Sequence, residues 1–376
     1  MLRVGILGGG QLGRMLLQEA ANYPVQVHVM ERDEYCPAAN LSHIFIKGDI
    51  TAYQDVINFG KSLDVLTIEI ENVNIEALED LEKQGVLVIP RPSALKTIKN
   101  KIHQKQFYQI NQIHSADFVV LQNKAEISQY SDYLPAAQKL ATGGYDGKGV
   151  QLIRTSNDIE KGFDAPSVLE RMVDIDKEIA VTVAVAQNGE MVVYPAVEMV
   201  FDPALNLLDF QVCPASICSS TLEQATSLAK SVAKGFASPG LFAVEMFVDK
   251  QGQVWVNETA PRVHNSGHHT IEAHFSSQFD MLWRILLNYP LGNTDMLTSS
   301  VMLNIIGADG HSGKTDYEGL EEVLAMPNAF VHLYGKADTK PGRKMGHATL
   351  LGNDVEALLE GARKIRSTLI VKSENK

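Results

Sequence analysis

The sequence predicts an α/β unit with a parallel sheet at the N-terminus, followed by α+β architecture to the C-terminus. Three observations predict it. Apolar runs alternate with amphipathic segments over about the first ninety residues, the signature of strands joined by crossover helices. From Phe118 the pattern changes to short apolar runs separated by turns. Two alternating runs, Leu241–Val248 and Gln253–Asn257, flank the turn Asp249–Gly252 and read as an antiparallel pair.

The elements follow in order. Val4–Leu7 is a strand, and the glycine turn after it opens a helix in GGGQLGRMLLQEAA. Val25–Met30 is the next strand and ends at Glu31. Strands His43–Lys47, Val65–Ile70 and Val86–Ile89 complete the parallel set, with helices around Tyr53–Gly60 and Ile75–Lys83. Pro90 and Pro92 end the unit. One helix is expected over Ser93–Ile113, with Lys96, Lys99, Lys101 and Lys105 on a basic face. A helix over Thr221–Ala237 leads into the antiparallel pair. From about Leu297 come short strands, the loop DTKPGRKMGH and a last helix near Asp354–Ser367. The expected domains are residues 1–95, 96–295 with a flap subdomain over about 118–185, and 296–376.

At 376 residues the chain is long enough for two or three cores. A composition of 45% hydrophobic and 21% charged residues is that of a soluble globular protein. The net charge of −12 argues against a broad nucleic-acid surface, which needs a basic stripe. No apolar run reaches the roughly 20 residues that cross a bilayer, and MLRVGILGGG reads as strand and turn rather than signal peptide. A cytoplasmic protein without nucleic-acid or membrane partners is expected. Cys36, Cys213 and Cys218 have no metal-like spacing and read as small buried hydrophobes.

Gly8-Gly9-Gly10-Gln11-Leu12-Gly13 satisfies G-x-G-x-x-G, and Glu31 stands where a dinucleotide enzyme places its ribose-binding acid. An NAD-dependent dehydrogenase is therefore a first hypothesis. The same turn serves any tight strand-to-helix connection.

The rest of the chain points elsewhere. Thr142–Gly149, TGGYDGKG, holds four glycines among eight residues, so its amides can close over phosphate oxygens. It is not a Walker loop, because Gly149 stands where Ser or Thr is required. An exposed hairpin loop is the plainer alternative. Lys139, just upstream, is placed to meet a phosphate. Glu245 and Glu258 lie at nearly matched distances from Gly252 and can face each other across the ladder. Two such carboxylates repel unless a cation lies between them, and with Asn257 beside Glu258 the hard oxygens suit Mg²⁺ (or Mn²⁺). Arg262, His264, Asn265, Ser266 and His268 follow at once. A zinc site built from the three histidines His264, His268 and His269, with a tolerable His264-x-x-x-His268 spacing, is the rival reading. No thiolate assists it, and a pocket for a polar anion beside Mg²⁺ is the better match. Lys336 and the loop Lys340–His347 concentrate cations, and a Pro-Gly turn presenting Arg343 suits a phosphate monoester.

Taken together, these motifs resemble the ATP-grasp superfamily, and within it the N5-carboxyaminoimidazole ribonucleotide synthetases. GILGGGQLGRM, TGGYDGKG, NETAPRVHNSGHHT and KPGRKMGH carry the likeness almost end to end. It implies an ATP-grasp fold: a Rossmann-like parallel-sheet domain, a central ATP-grasp domain with a mobile glycine flap, and a small β-rich C-terminal domain. The implied reaction joins bicarbonate to 5-aminoimidazole ribonucleotide with ATP as co-substrate, without NAD or zinc, in a homodimer. Another ATP-grasp ligase, such as a formate-dependent glycinamide ribonucleotide transformylase, is the alternative.

Carried over by matching motif, Lys101 and Lys139 would contact ATP phosphates under a flap of Gly144, Tyr145, Asp146, Gly147, Lys148 and Gly149. Glu170, Arg171, Met172 and Val173 would form the adenine strand, with Glu178 on the ribose. Glu245, Glu258 and Asn257 would hold Mg²⁺. Arg262 and His264 would act at the bicarbonate site, with Asp146 and Lys139 also counted as catalytic. Gln11, Glu71, Tyr145, Asp146, Arg262, His264, Asn265, Ser266, Lys336 and Arg343 would bind the ribonucleotide. Two positions depart from the family pattern: Phe201 replaces a nucleotide-contacting histidine, and Val150 replaces a flap glutamine.

Overall fold

The computed structural model describes residues 1–144, 149–201 and 208–374, with Phe201, Leu208 and Asp209 described by backbone alone. Strands β1 (Leu2–Leu7), β2 (Val25–Glu31), β3 (Ile44–Lys47), β4 (Val65–Ile68) and β5 (Leu87–Val88) form one parallel sheet in the order β3-β2-β1-β4-β5. Its crossovers are α1 (Gln11–Ala20), α2 (Tyr53–Gly60) and α3 (Ile75–Lys83), as the alternating pattern requires. α1 buries Met15, Leu16, Leu17 and Ala20 against the sheet, the stripe expected of a surface helix.

The single helix expected over Ser93–Ile113 is two: α4 (Pro92–Ile98) and α5 (Lys101–Ile110). Asn100 breaks the run, since its extended backbone lets its side chain cap the amides of Ile102 and His103. The supposed basic face is dispersed by this break. Lys96 pairs with Glu79, Lys99 donates to the Val73 carbonyl, and Lys101 and Lys105 turn inward.

A small antiparallel sheet follows, built from β6 (Phe118–Leu121), β7 (Ala136–Leu140), β8 (Val150–Ile153) and β9 (Ser167–Arg171) in the order β6-β9-β7-β8. Its own core holds Leu121, Ile127, Ala136, Ile153 and Leu169. The glycine loop connects β7 to β8, and Tyr145, Asp146, Gly147 and Lys148 lie outside the described residues.

The largest sheet uses β10 (Ile175–Val185), β11 (Met191–Val193), β12 (Val197–Phe201), β13 (Leu208–Cys213), β14 (Gly240–Asp249) and β15 (Val254–Ala260). It continues without a break through β16 (Ser300–Ile306) into the C-terminal segment, because β16 pairs with β13. α6 (Ser219–Gly235) covers one face, with Ala225, Ala229, Val232 and Ala233 packed on Val181, Val183, Phe242 and Val244. Short α7 (Thr270–Ala273) and longer α8 (Gln278–Leu286) follow the hairpin. α8 locks the first unit in place, as Trp283 packs fully buried beside α1 and its indole donates to the Leu16 carbonyl at 2.7 Å.

Beyond β16 lie β17 (Gly313–Glu318), α9 (Leu320–Leu324), β18 (Ala329–Leu333), β19 (Asp338–Thr339), β20 (Lys344–Leu351), α10 (Val355–Thr368) and β21 (Ile370–Ser373). β20 and β18 extend the large sheet, whereas β19, β17 and β21 form a separate small one. The expected loop at 338–347 is therefore shorter: Lys344–His347 already lies in β20, where His347 is fully buried.

Candidate active site

Glu245 on β14 pairs directly with Glu258 on β15. The register then shifts, so that Met246 pairs with Val256 and Asn257 is left as the extra residue of a β-bulge. Strict alternation would turn Glu258 into the core beside Val256. The bulge instead brings Asn257 and Glu258, neighbours in sequence, onto one face. β10 adds a third acid there, because Ala180 pairs with Glu245 and Glu178 lies two residues before it.

These acids are driven apart in proton affinity. Burial pushes the Glu245 carboxyl up, helped by the charges of Glu258 and Glu178. Lys101, hydrogen-bonded to Glu258, holds that carboxyl well below its usual range. Burial raises Glu178 to about 7. Three inward carboxyls, two of them raised by burial, make a donor set that fits a hard divalent cation.

Lysines line the opposite wall. The Lys139 ammonium donates to Asn257 Oδ1 at 2.7 Å and to Glu170 Oε2 at 3.1 Å. Lys105, 2% exposed, approaches the same Glu170 oxygen at 3.4 Å. Burial alone would raise the Glu170 carboxyl, yet Lys139 and Lys105 hold it below its ordinary value. Burial lowers Lys105 to about 8. The remaining adenine-strand residues are placed differently. The Arg171 and Met172 amides donate to the Asp117 and Pro135 carbonyls, and the Arg171 side chain runs outward to the Asp132 carbonyl and over the Tyr133 ring.

The segment after β15 crosses toward the N-terminal unit. Arg262 Nη2 meets Glu71 Oε1 at 2.8 Å, and its Nε is buried without a partner among the described residues. The His264 ring has Nδ1 2.9 Å from Ser266 Oγ and accepts the Ser266 amide there at 3.3 Å, which places its proton on Nε2. That nitrogen faces Glu245 Oε1 at 3.5 Å. Burial, with Arg262 and Lys344 nearby, lowers the imidazole to about 3 and keeps it neutral. Both amide atoms of Asn265 are buried without a partner among the described residues, as a substrate-facing group would be. His268 and His264 do not converge on a metal: among the described residues, neither belongs to the group of ligand atoms close enough to share an ion.

Gln11 and Lys336, 325 positions apart, meet with Lys336 Nζ 2.7 Å from Gln11 Oε1. Lys336 also donates to the Lys344 carbonyl at 2.6 Å. Arg343 points its guanidinium at the Asp338 carbonyl, 2.5 Å away. Of the expected ribonucleotide contacts, Gln11 and Lys336 thus meet across the seam between the first unit and the last, while Arg343 bonds within the last unit.

The glycine turn is occupied by protein. Gly10 and Gly13 amides both donate to the Glu69 carboxylate at 2.9 Å, and the Gly9 amide donates to Glu31 at 3.2 Å. Gly8 has φ +102°, and a Cβ there would lie 2.6 Å from the Glu69 side chain. A dinucleotide pyrophosphate needs those same amides. Glu31, expected to bind a ribose, instead closes the turn, which removes the basis of the dehydrogenase reading.

Sequence reasoning missed Glu69 and Gln278, and it put Lys105 on a basic helix face rather than beside Glu170. Gln278, fully buried at the start of α8, accepts the His264 amide and donates to the His264 carbonyl, each at 2.8 Å. A Cβ on Gly267 would lie 2.5 Å from its Oε1, so the glycine is needed for this approach. No local motif announces that role. The cysteines divide too: Cys36 and Cys213 are buried as expected, but Cys218 is exposed at the N-terminus of α6.

Three domain families match along the chain: a ribonucleotide synthetase preATP-grasp domain over residues 1–99, an ATP-grasp domain over 106–279, and a phosphoribosylaminoimidazole carboxylase C-terminal domain over 300–361. The chloroplastic phosphoribosylaminoimidazole carboxylase of Vigna aconitifolia is 34% identical over 94% of this chain, which spans 65% of that protein's length. The N5-carboxyaminoimidazole ribonucleotide synthetase structure from Thermotoga maritima superimposes with TM-score 0.92 at 37% identity, covering 100% of both chains. The Aspergillus clavatus N5-carboxyaminoimidazole synthase in complex with ADP and 5-aminoimidazole ribonucleotide gives 0.87 at 32%, covering 97% of this chain and 99% of that one.

Proposed function

This chain belongs to the N5-carboxyaminoimidazole ribonucleotide synthetase family, and we propose that it carboxylates 5-aminoimidazole ribonucleotide with ATP and bicarbonate, releasing ADP and phosphate, in purine biosynthesis. The observation that carries the reading is the meeting of three features at one seam. The paired acids Glu245 and Glu258 stand beside Lys101 and Lys139, and the Arg262–Glu71 and Lys336–Gln11 contacts border them.

In this reading Lys101 and Lys139 leave their carboxylate and amide partners to neutralise ATP phosphates. Glu178 would accept from the ribose hydroxyls, and the backbone near Val173 would meet the base. Mg²⁺ (or Mn²⁺), held by Glu245, Glu258 and Asn257, would supply charge neutralisation at the phosphates. Bicarbonate oxygen attacks the γ-phosphorus and the bond to the β-phosphate oxygen breaks, giving carboxyphosphate and ADP. Arg262, already placed against an anionic side chain, would compensate charge on that intermediate. Neutral His264 can donate a hydrogen bond from Nε2 to an oxyanion without adding a full charge. The exocyclic amine then takes the carboxyl carbon as phosphate leaves. Asp146 and Tyr145 of the flap would position that amine, and flap closure would keep water from the intermediate. Lys336 and Arg343 would hold the ribose phosphate, with Gln11, Glu71, Asn265 and Ser266 around the nucleoside. A homodimer in the cytoplasm completes the reading, and sedimentation checks the assembly.

The test is phosphate release measured with and without each substrate. Release should require both bicarbonate and 5-aminoimidazole ribonucleotide. ATP turnover with neither, or with glycinamide ribonucleotide and formate, would overturn the assignment.

A further inference from the structure

On the far side of the His264 loop lies a second group of ligand-type side chains that the reaction does not use. Cys213 ends β13, His269 precedes α7, and His274 follows it. The Cys213 sulfur and one nitrogen of each ring lie within 4.8 Å of one another. All three residues are buried, at 0%, 2% and 3% exposure. A fourth soft donor stands next to them, because Met296 bridges to His274 through the backbone and its sulfur lies 3.4 Å from Cys213 Sγ.

The buried nitrogens are what need explaining. His269 Nε2 and both ring nitrogens of His274 have no hydrogen-bond partner among the described residues. Leaving a buried polar atom unmatched costs about 1–3 kcal/mol, and native proteins rarely leave several in one place. A buried ring nitrogen that bonds nothing else has its lone pair free for coordination. The Gln211 amide sits 2.5 Å from His269 Nδ1, and its Oε1 is itself without a partner. Rotated by half a turn, that amide accepts Nδ1–H and leaves the Nε2 lone pair free, as the outer partner of a ligating histidine does.

We propose that Cys213, His269 and His274, completed by Met296, form a closed site for a soft d¹⁰ metal ion, and that charge balance selects Cu⁺ over Zn²⁺. One thiolate and two neutral imidazoles neutralise a monovalent ion within the donor set, whereas Zn²⁺ would need the charge of Asp295, which acts on His274 from outside it. A thioether as fourth donor also favours the softer ion. On binding, the S–H bond breaks, the sulfur pair goes to the metal and one proton is released to solvent. Legs of about 2.3 Å to sulfur and about 2.0 Å to nitrogen put such donors ~3.5 Å apart, so small side-chain rotations close the present spacing. Only His269 is shared with the three-histidine zinc reading; Cys213, His274 and Met296 lie outside it. The site would pin the far end of the loop that carries Arg262 and His264.

The test uses the full chain with Cys218→Ser as background, since the exposed thiol would itself take up copper. Cu⁺ is supplied against a chromophoric Cu⁺ chelator, and Zn²⁺ is titrated in a parallel arm. One tightly held Cu⁺ per chain is expected, with both sulfur and nitrogen neighbours in X-ray absorption. Cys213→Ser and His274→Gln should each weaken retention at least about tenfold, and Met296→Leu by less. His274→Gln covers the case in which Cys213→Ser fails to fold. Failure to retain Cu⁺ against the chelator, or equal retention in folded His274→Gln, overturns the site. Tighter binding of Zn²⁺ than of Cu⁺ overturns the charge argument.

Discussion

Replacing Gln278 with leucine tests whether the His264 loop is held by one buried amide. The side chain closes two hydrogen bonds of 2.8 Å on the backbone of His264, one accepted and one donated, and touches His268 Nδ1 at 3.2 Å. Leucine fills similar space but satisfies neither backbone group. Each unmatched group costs about 1–3 kcal/mol, and partial burial of His264 puts both near the lower end, so the loss should be about 2–3 kcal/mol. Gln278→Glu keeps an acceptor but puts a carboxyl at a fully buried position against the His264 carbonyl, so its loss should grow as rising pH ionises it. Trp283, one turn along the same helix, reports local unfolding by fluorescence in a denaturant titration. Bicarbonate-dependent kcat should fall in both variants while the KM for ATP stays within about twofold, because His264 is misplaced and the lysines are not. A stability loss below about 0.5 kcal/mol with unchanged kcat for Gln278→Leu would refute the reasoning.

Other predictions follow from the same geometry. Glu258→Gln should lower turnover by about 100-fold or more and shift the Mg²⁺ requirement upward, as read by phosphate release across a Mg²⁺ titration; an unchanged Mg²⁺ profile counts against its role. Arg343→Ala should raise the KM for the ribonucleotide with a smaller effect on kcat, and an unchanged KM means the phosphate is held elsewhere. Cys218 is drawn down to about 7 by hydrogen bonds from the Ser220 and Thr221 side chains, whereas burial pushes Cys213 up to about 12. Since the thiolate is the reactive form, native alkylation at Cys218 should rise about tenfold from pH 6 to pH 8, with Cys36 and Cys213 protected by burial. Mass spectrometry of alkylated peptides measures this, and a flat pH profile at Cys218 would contradict it.

The parallel unit was legible because its central strands carry largely apolar runs, Val4–Leu7 and Val65–Ile68, and its helices carry a clear stripe; α2 and α3 fall where periodicity puts them. The pairing of Glu245 with Glu258 was legible too, since a short turn fixes register. The bulge at Asn257 was not, because a one-residue irregularity leaves the apolar alternation of its neighbours intact. The break at Asn100 failed for a related reason, as helix-compatible residues flank it and only the cap distinguishes two helices from one. Glu69 and Gln278 act through backbone groups 56 to 59 and 14 positions away, a relation no local pattern encodes. The glycine turn misled for the opposite reason. Its conformation was right, but which carboxylate would claim its amides depended on β4 lying beside β1.

The unbroken run of the large sheet from β13 into β16 changes what counts as a separable part of this molecule. A chain ending near residue 295 would bare the edge of β13 along the four positions from Phe210 to Cys213 that β16 now covers. Such an edge is a template for pairing with another chain. Lys336 and Lys344 would also leave the seam. Shuffling among relatives would therefore have to exchange the last two segments together. A cut at the apparent boundary should cost far more stability than an insertion in a surface loop.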